Sequence, residues 1–173
     1  MALINNIAQW LLSSKESPKS DKQFLNWNQL SNVLLIIHEN QIADCTEFIT
    51  ACKKDNITIT VAILYDGKAE QAPKPNFEHM LLDKKQFNFF GLPNDAIVSQ
   101  LNSKVFDALI TLGNAEQIKA LALSKLIAAK CKIANFQNPI FEITISDDKL
   151  MKSSDYLKQV IVYLNMIKTT NNS

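Results

Sequence analysis

The sequence predicts an α/β fold: three layers built on an open, doubly wound, mostly parallel sheet of about five to six strands, with an extra helix at the amino terminus. Three observations carry this. The run Asn32-Val33-Leu34-Leu35-Ile36-Ile37-His38 places five consecutive Val, Leu or Ile residues between polar ends, which leaves no polar face for water and marks a strand buried on both sides. A second segment that reads as a central strand, Phe106-Asp107-Ala108-Leu109-Ile110-Thr111-Leu112, follows later in the chain. Around these runs apolar residues recur at helical spacing, so strands and helices alternate as they do around a parallel sheet. A chain of 173 residues fits one domain and buries roughly 70% of its unfolded surface, enough for a core without staples.

Taken in order, Ile4, Ile7, Ala8 and Leu11 fall on one helical face, widened by Trp10 and Leu12, and predict an amphipathic helix over residues 2–13. A helix this short is marginal alone, so it is expected to dock on its own domain or on a second subunit. Its polar face carries amides instead of lysines, which argues against a membrane-surface role. The polar stretch from Ser13 to Lys22, with Pro18, reads as a linker. Residues 1–23 are therefore taken as helix and linker, 24–168 as a single α/β domain, and 169–173 as a frayed tail. Phe24, Leu25, Trp27 and Leu30 are anchors laid against the sheet ahead of the first strand.

Asn40 is placed to cap a covering helix whose inner face is Ile42, Cys45, Phe48, Ile49 and Cys52, with Lys53 and Lys54 complementing the dipole at its far end. Asn56 to Leu64 begins with alternating Ile and Thr and predicts a β-branched second strand. Asp66-Gly67, Pro73 and Pro75 mark an extended crossover. A weak third strand spans Phe77 to Leu82, then comes a loop from Asp83 to Asn94, and a helix from Asn94 or Asp95 turns Ile97, Val98 and Leu101 inward. After the 106–112 strand, Gly113-Asn114 turns the chain into a helix over about 115–130, with Ile118, Leu121, Ala122, Leu126 and Ala129 on its buried stripe. Short strands at 132–136 and 141–145 precede a last helix over 154–167 that buries Leu157, Val160, Ile161, Leu164 and Ile167. With right-handed crossovers, the expected strand order is 3-2-1-4-5, as in Rossmann- or flavodoxin-like sheets.

Composition excludes several function classes. The 18 basic and 17 acidic residues leave a net charge of +1, so nothing steers the chain toward nucleic acid or an anionic membrane. Every basic residue is Lys, which removes the side chain suited to bidentate grip on phosphate or guanine. Cys45, Cys52 and Cys131 have no metal-ligand spacing and read as small buried hydrophobes in a reducing, cytoplasmic setting. The first residues lack the basic n-region of a signal peptide, and no segment reaches the length of ~20 apolar residues that spans a bilayer.

In open α/β sheets ligands bind beyond the carboxyl ends of the strands, where strand order reverses. That rule nominates His38 and Asn40 after the first strand, Gly113 and Asn114 after the fourth, and Lys84, Phe89, Phe90 and Gly91 in the loop at the rim, with Tyr65, Asp66 and Glu116 nearby. The first strand is followed by no glycine, so its backbone cannot approach a pyrophosphate, and the phosphate loop GxxxxGK[ST] is absent. The plainer reading of His38 is a strand-end polar group bonded to backbone; the other is a general acid or base. The three phenylalanines of the loop, with Lys84 and Lys85, either plug the sheet end or form a stacking platform with cationic neighbours. GxSxG is absent, His79 reads as exposed, and two histidines without CxxC make a zinc site improbable. Asp147, Asp148 and Asp155 read as charge about the start of the last helix. No catalytic residue, metal or cofactor is therefore assigned.

Asn32-Val-Leu-Leu-Ile-Ile, the Asp83 to Pro93 loop with its Phe-Asn-Phe-Phe-Gly core, Phe106-Asp-Ala-Leu-Ile-Thr-Leu and the ending Tyr156-Leu-Lys-Gln-Val-Ile-Val-Tyr-Leu-Asn-Met-Ile together resemble a family of short bacterial proteins known only as a domain of unknown function. The resemblance covers about residues 24–168 and implies no activity. It departs at the amino terminus, where a helix rich in lysine and arginine would be expected and an uncharged one stands. A looser likeness, at the level of fold, is to the amino-terminal half of heptosyltransferase-like glycosyltransferases, through the 106–112 strand, its helix and Lys132-Ile-Ala-Asn. Those enzymes close two such domains on a sugar nucleotide, and this chain has one.

The function expected first is a non-catalytic interaction module, binding a protein partner or another copy of itself through the amino-terminal helix. The alternative is a nucleotide- or sugar-like small-molecule or transferase-related domain with its pocket at the carboxyl ends of the strands.

Overall fold

β1 (Asn32–His38) is the centre of the sheet. Its five apolar residues, Val33 to Ile37, are all fully buried, because elements cover both faces and parallel neighbours flank both edges. The computed structural model describes residues 2–67, 71–145 and 151–168; the Asp147-Asp148 pair and the tail over 169–173 lie outside the described residues. From β1 the chain passes through α2 (Thr46–Lys54) to β2 (Thr58–Leu64), then to the short β3 (Met80–Leu82). It returns to the other side of β1 through α3 (Asp95–Asn102) and continues as β4 (Phe106–Thr111), α4 (Ile118–Leu126), β5 (Ala129–Ala134), β6 (Ile143–Thr144) and α5 (Ser153–Met166). Every pairing is parallel. The order β3-β2-β1-β4-β5-β6 is the expected one extended by an edge strand, so strand order reverses between β1 and β4.

The sheet separates two apolar cores. On one face Val33, Leu35, Ile37, Ile63 and Ile110 meet Phe48, Ile49 and Cys52 of α2 and Leu157, Val160 and Leu164 of α5. On the other, Leu34, Ile36, Leu64 and Leu109 meet Leu101 of α3, Leu121 of α4 and Leu12 of α1 (Ala2–Ser14). At the amino ends of the strands, the buried Asp107 carboxylate accepts the N–H groups of Ser31 at 2.7 Å and Asn32 at 3.1 Å and the Lys130 ammonium at 2.8 Å. Burial pushes its pKa up, and the Lys130 bond with the two backbone donors outweighs this and holds the group below its usual range.

Three expectations need correction. Residues 39–45 form two 3-10 turns and α2 begins at Thr46, so Asn40 caps no α-helix; Gln41 ties the turn instead, its side-chain oxygen accepting the His38 N–H at 2.8 Å. The helix predicted over 115–130 spans only Ile118–Leu126. Its expected last residues enter β5, where Lys130 reaches Asp107 and the alternating Cys131 and Ile133 join the core beneath α5. Finally, α1 docks on α4 through Ala8, Leu11 and Leu12, while Ile4 and Ile7 stay partly exposed. Lys125 donates to the carbonyls of Leu12 at 2.8 Å and Ser13 at 3.1 Å, which closes the end of the helix.

Candidate functional site

The carboxyl ends of four adjacent strands open onto one cavity of about 580 Å³. Across the sheet from β3 to β4, the strand ends and the segments that follow them supply Lys84, Asp66, His38 and Glu116 in turn. The first turn of α4 makes one wall with Ile118 and Lys119, the loop after β3 makes another, and Ile4 and Asn5 of α1 reach the rim.

That loop is held by its own side chains. Asp83 accepts the Lys85 N–H at 2.7 Å while Gln86 accepts the Asp83 N–H at 2.8 Å, a reciprocal cap on a 3-10 turn. Phe87 and Pro93 then face each other as an antiparallel bridge. Within it the Asn88 side chain accepts the N–H groups of Phe90 at 2.9 Å and Leu92 at 3.0 Å. Gly91 stands at φ 78°, a left-handed conformation that glycine adopts without strain. The result is a fixed platform: Phe87 is buried in the core, while Phe89 and Phe90 pack edge to face at 5.4 Å on the cavity side.

Charge is arranged around Asp66. Lys119 donates to its carboxylate and sits 5.2 Å from the centre of the Phe87 ring. Burial pushes the Asp66 pKa up, but the Lys119 bond and the charges of Lys119, His38 and Lys84 outweigh it and hold the group below its usual range. Behind it, Gly67 lies so close to the Tyr65 hydroxyl that a Cβ there would overlap the ring. Burial and the Glu39 charge raise the Tyr65 pKa.

Among the described residues Lys84 makes no ion pair, and His38 and Gln41 form a reciprocal cap on the 3-10 turn, the His38 side chain facing the Gln41 backbone N–H as the backbone-bonded reading expects. The sequence-nominated His38, Lys84, Phe89, Phe90 and Gly91 all line the cavity. Asn40 does not; it is exposed in the 3-10 turn behind His38. Gly113 and Asn114 shape the β4–α4 turn instead. The Gly113 N–H donates to the Asn135 side chain at 2.9 Å, and the Asn114 side chain accepts the Glu116 N–H at 2.9 Å. Lys119 and the α1 residues were missed. Lys119 looks like an ordinary solvated helix lysine in the sequence, and nothing local brings residues 4 and 5 to the far end of the sheet.

Chemically the cavity offers two cations, two carboxylates, an imidazole and an aromatic wall. No group of three His, Cys, Asp or Glu residues placed for a metal ion occurs among the described residues. The three cysteines are buried, with thiol pKa values pushed up to about 12, first by burial. No helix among the described residues is long and apolar enough to cross a membrane.

The chain belongs to a family of unknown function, DUF6913, whose model matches residues 3–167. The match extends beyond the 24–168 span of the sequence resemblance and takes in nearly all of α1. No curated protein and no solved structure matches the chain, so the glycosyltransferase likeness gains no support there.

Proposed function

We propose that this member of the family is a small-molecule binding protein, and that the cavity takes a nucleotide- or sugar-phosphate-like ligand: a flat or apolar body, an anionic group and hydroxyls. The observation that carries this is Lys84, a cation without an ion pair among the described residues, lining the same cavity as His38 and the Phe89–Phe90 platform. Lys119 is already engaged by Asp66, so an incoming anion meets Lys84 first, with His38 beside it. Glu116, at the β4 end of the row, accepts from hydroxyls. A cavity of this size falls within the range of about 300–1,000 Å³ usual for such sites. Without a glycine after β1, side chains hold the anion here where a dinucleotide fold would use backbone amides. No step of bond making is proposed.

The test is native mass spectrometry of gently purified protein, followed by thermal-shift titration with nucleoside monophosphates and sugar phosphates. A retained mass, or a shift lost in Lys84→Gln and Phe90→Ala while their own melting temperatures stay within a few degrees of the parent, supports the site. Loss of binding only in variants that also unfold would remove it. The exposed apolar residues of α1 favour a second reading, an interaction role, which the sequence ranked first.

A further inference from the structure

α1 is apolar on two sides. One side docks on α4 through Ala8 and Leu12. The other carries Leu3, Ile7 and Trp10, at 72%, 37% and 68% exposure. Their spacing of four and then three residues is that of a seam between paired helices, and it faces away from the core. We infer that a second copy of this chain docks on this seam, the two α1 helices running antiparallel about a two-fold axis near Ile7. This rests on the interaction reading of α1 and not on the ligand of the cavity.

The chemistry of the helix selects the partner. A two-fold interface sets a surface against itself, so any charge near the axis faces its own copy. α1 has neither an acidic nor a basic residue from Ala2 to Ser14. Asn6 and Gln9, on the polar side of the seam, both donate and accept, so an amide there pairs with its own copy, which a lysine or a carboxylate would not do. An anionic lipid surface would call for lysines on that flank. In the antiparallel arrangement Leu3 meets the partner's Trp10, Ile7 meets its own counterpart, and the helix dipoles oppose. The partner's Trp10 then arrives beside Ile4, at the rim of the cavity that Phe89 borders, and adds an aromatic edge to it.

The seam from Leu3 to Trp10 is only about 10 Å long, too short for a tight interface of roughly 800 Å² per partner, so the association is concentration-dependent. Sedimentation velocity of the full chain over rising concentration should show a shift toward twice the 19.5 kDa chain mass. Trp10→Lys should weaken it at least ten-fold while leaving the circular-dichroism melt unchanged. Because the native thiols are buried, Ile7→Cys provides an independent readout: mild oxidation should link it to its own copy, whereas Gln9→Cys, off the seam, should link far less. A monomer at every concentration overturns both this inference and the self-association reading. A dimer indifferent to Trp10→Lys, with no Ile7→Cys cross-link, overturns this geometry alone. Sedimentation with phosphatidylglycerol vesicles in place of dimerisation would also overturn it, in favour of a lipid surface.

Discussion

Lys132 shows at the scale of one residue where the fold tolerates an unfavourable choice. Its side chain runs from β5 beneath the end of α4, is only 3% exposed, and reaches a single acceptor, the Lys125 carbonyl, at 3.3 Å. Burial lowers its pKa to about 8, and the charges of Lys22 and Lys125 act the same way, with Glu142 opposing. A base whose folded pKa lies below its unfolded value destabilises the fold while it is charged in both states. That penalty is present at neutral pH and is relieved as pH rises from about 8 toward the ordinary lysine value. A net shift of this size corresponds to roughly 3 kcal/mol, of which a neutral side chain recovers only part, because removing the ammonium also leaves the Lys125 carbonyl without this donor. Lys132→Met keeps the length of the chain and removes the charge, so it should stabilise the protein by about 1–2 kcal/mol at pH 7. The gain should shrink toward zero by pH 10. Urea denaturation at the two pH values measures it, and an equal or negative difference at pH 7 would show that the ammonium is well served where it lies.

Among elements, the 83–94 loop turns composition into a site. Asn88 holds two backbone N–H groups at once, and no other side chain in the turn stands in for it. Asn88→Ala should therefore lower stability by about 1–2 kcal/mol, or roughly 3–6 °C in melting temperature for a chain of this length. Phe90→Ala, which removes a half-exposed ring, should change the melt far less. The contrast is the useful measurement, since equal effects would make the phenylalanine part of the core and not of a platform. This loop was partly legible in the sequence. Three phenylalanines, paired lysines and a glycine singled it out, but the Asp83–Gln86 and Asn88 bonds that shape it leave no periodic trace. β1 was readable because five apolar residues in a row admit one environment, and β4 because Ala108, Leu109 and Ile110 stand between Phe106 and Leu112. α4 was readable as a helix but not in extent, because Ile118 to Ser124 is buried on nearly all sides and its apolar run continues into β5. The site's charge pair escaped notice for another reason: Lys119 and Asp66 are 53 residues apart. Likewise the bonds from Lys125 to the end of α1 join residues 113 and 112 apart, so the sequence offered one broad apolar stripe on α1 and no local means of telling which part of it docks.

For the whole molecule, the sheet implies a gradient of stability that runs outward from β1. β1 is in register with β2 over seven residue pairs and with β4 over four, whereas β3 contributes three pairs and β6 two. Both faces of the centre are covered, and the edges depend on short ladders, so opening at the edges need not disturb the core. The cavity spans this gradient: His38 ends the strand at the centre, while Lys84 follows the weakly held β3. A ligand that bridges them therefore gains a rigid anchor on one side and must order the other. Native-state hydrogen exchange should find the amides of Val33–Ile37 and Ala108–Thr111 opening only with global unfolding, and those of Met80–Leu82 and Ile143–Thr144 exchanging faster by orders of magnitude. Saturation with a ligand identified by mass spectrometry should then slow Met80–Leu82 and the 83–94 loop selectively, leaving Ile143–Thr144 at the far edge unchanged. Equal slowing at both edges would mean that the ligand stabilises the fold as a whole and does not bridge the β3 side of the cavity to its centre.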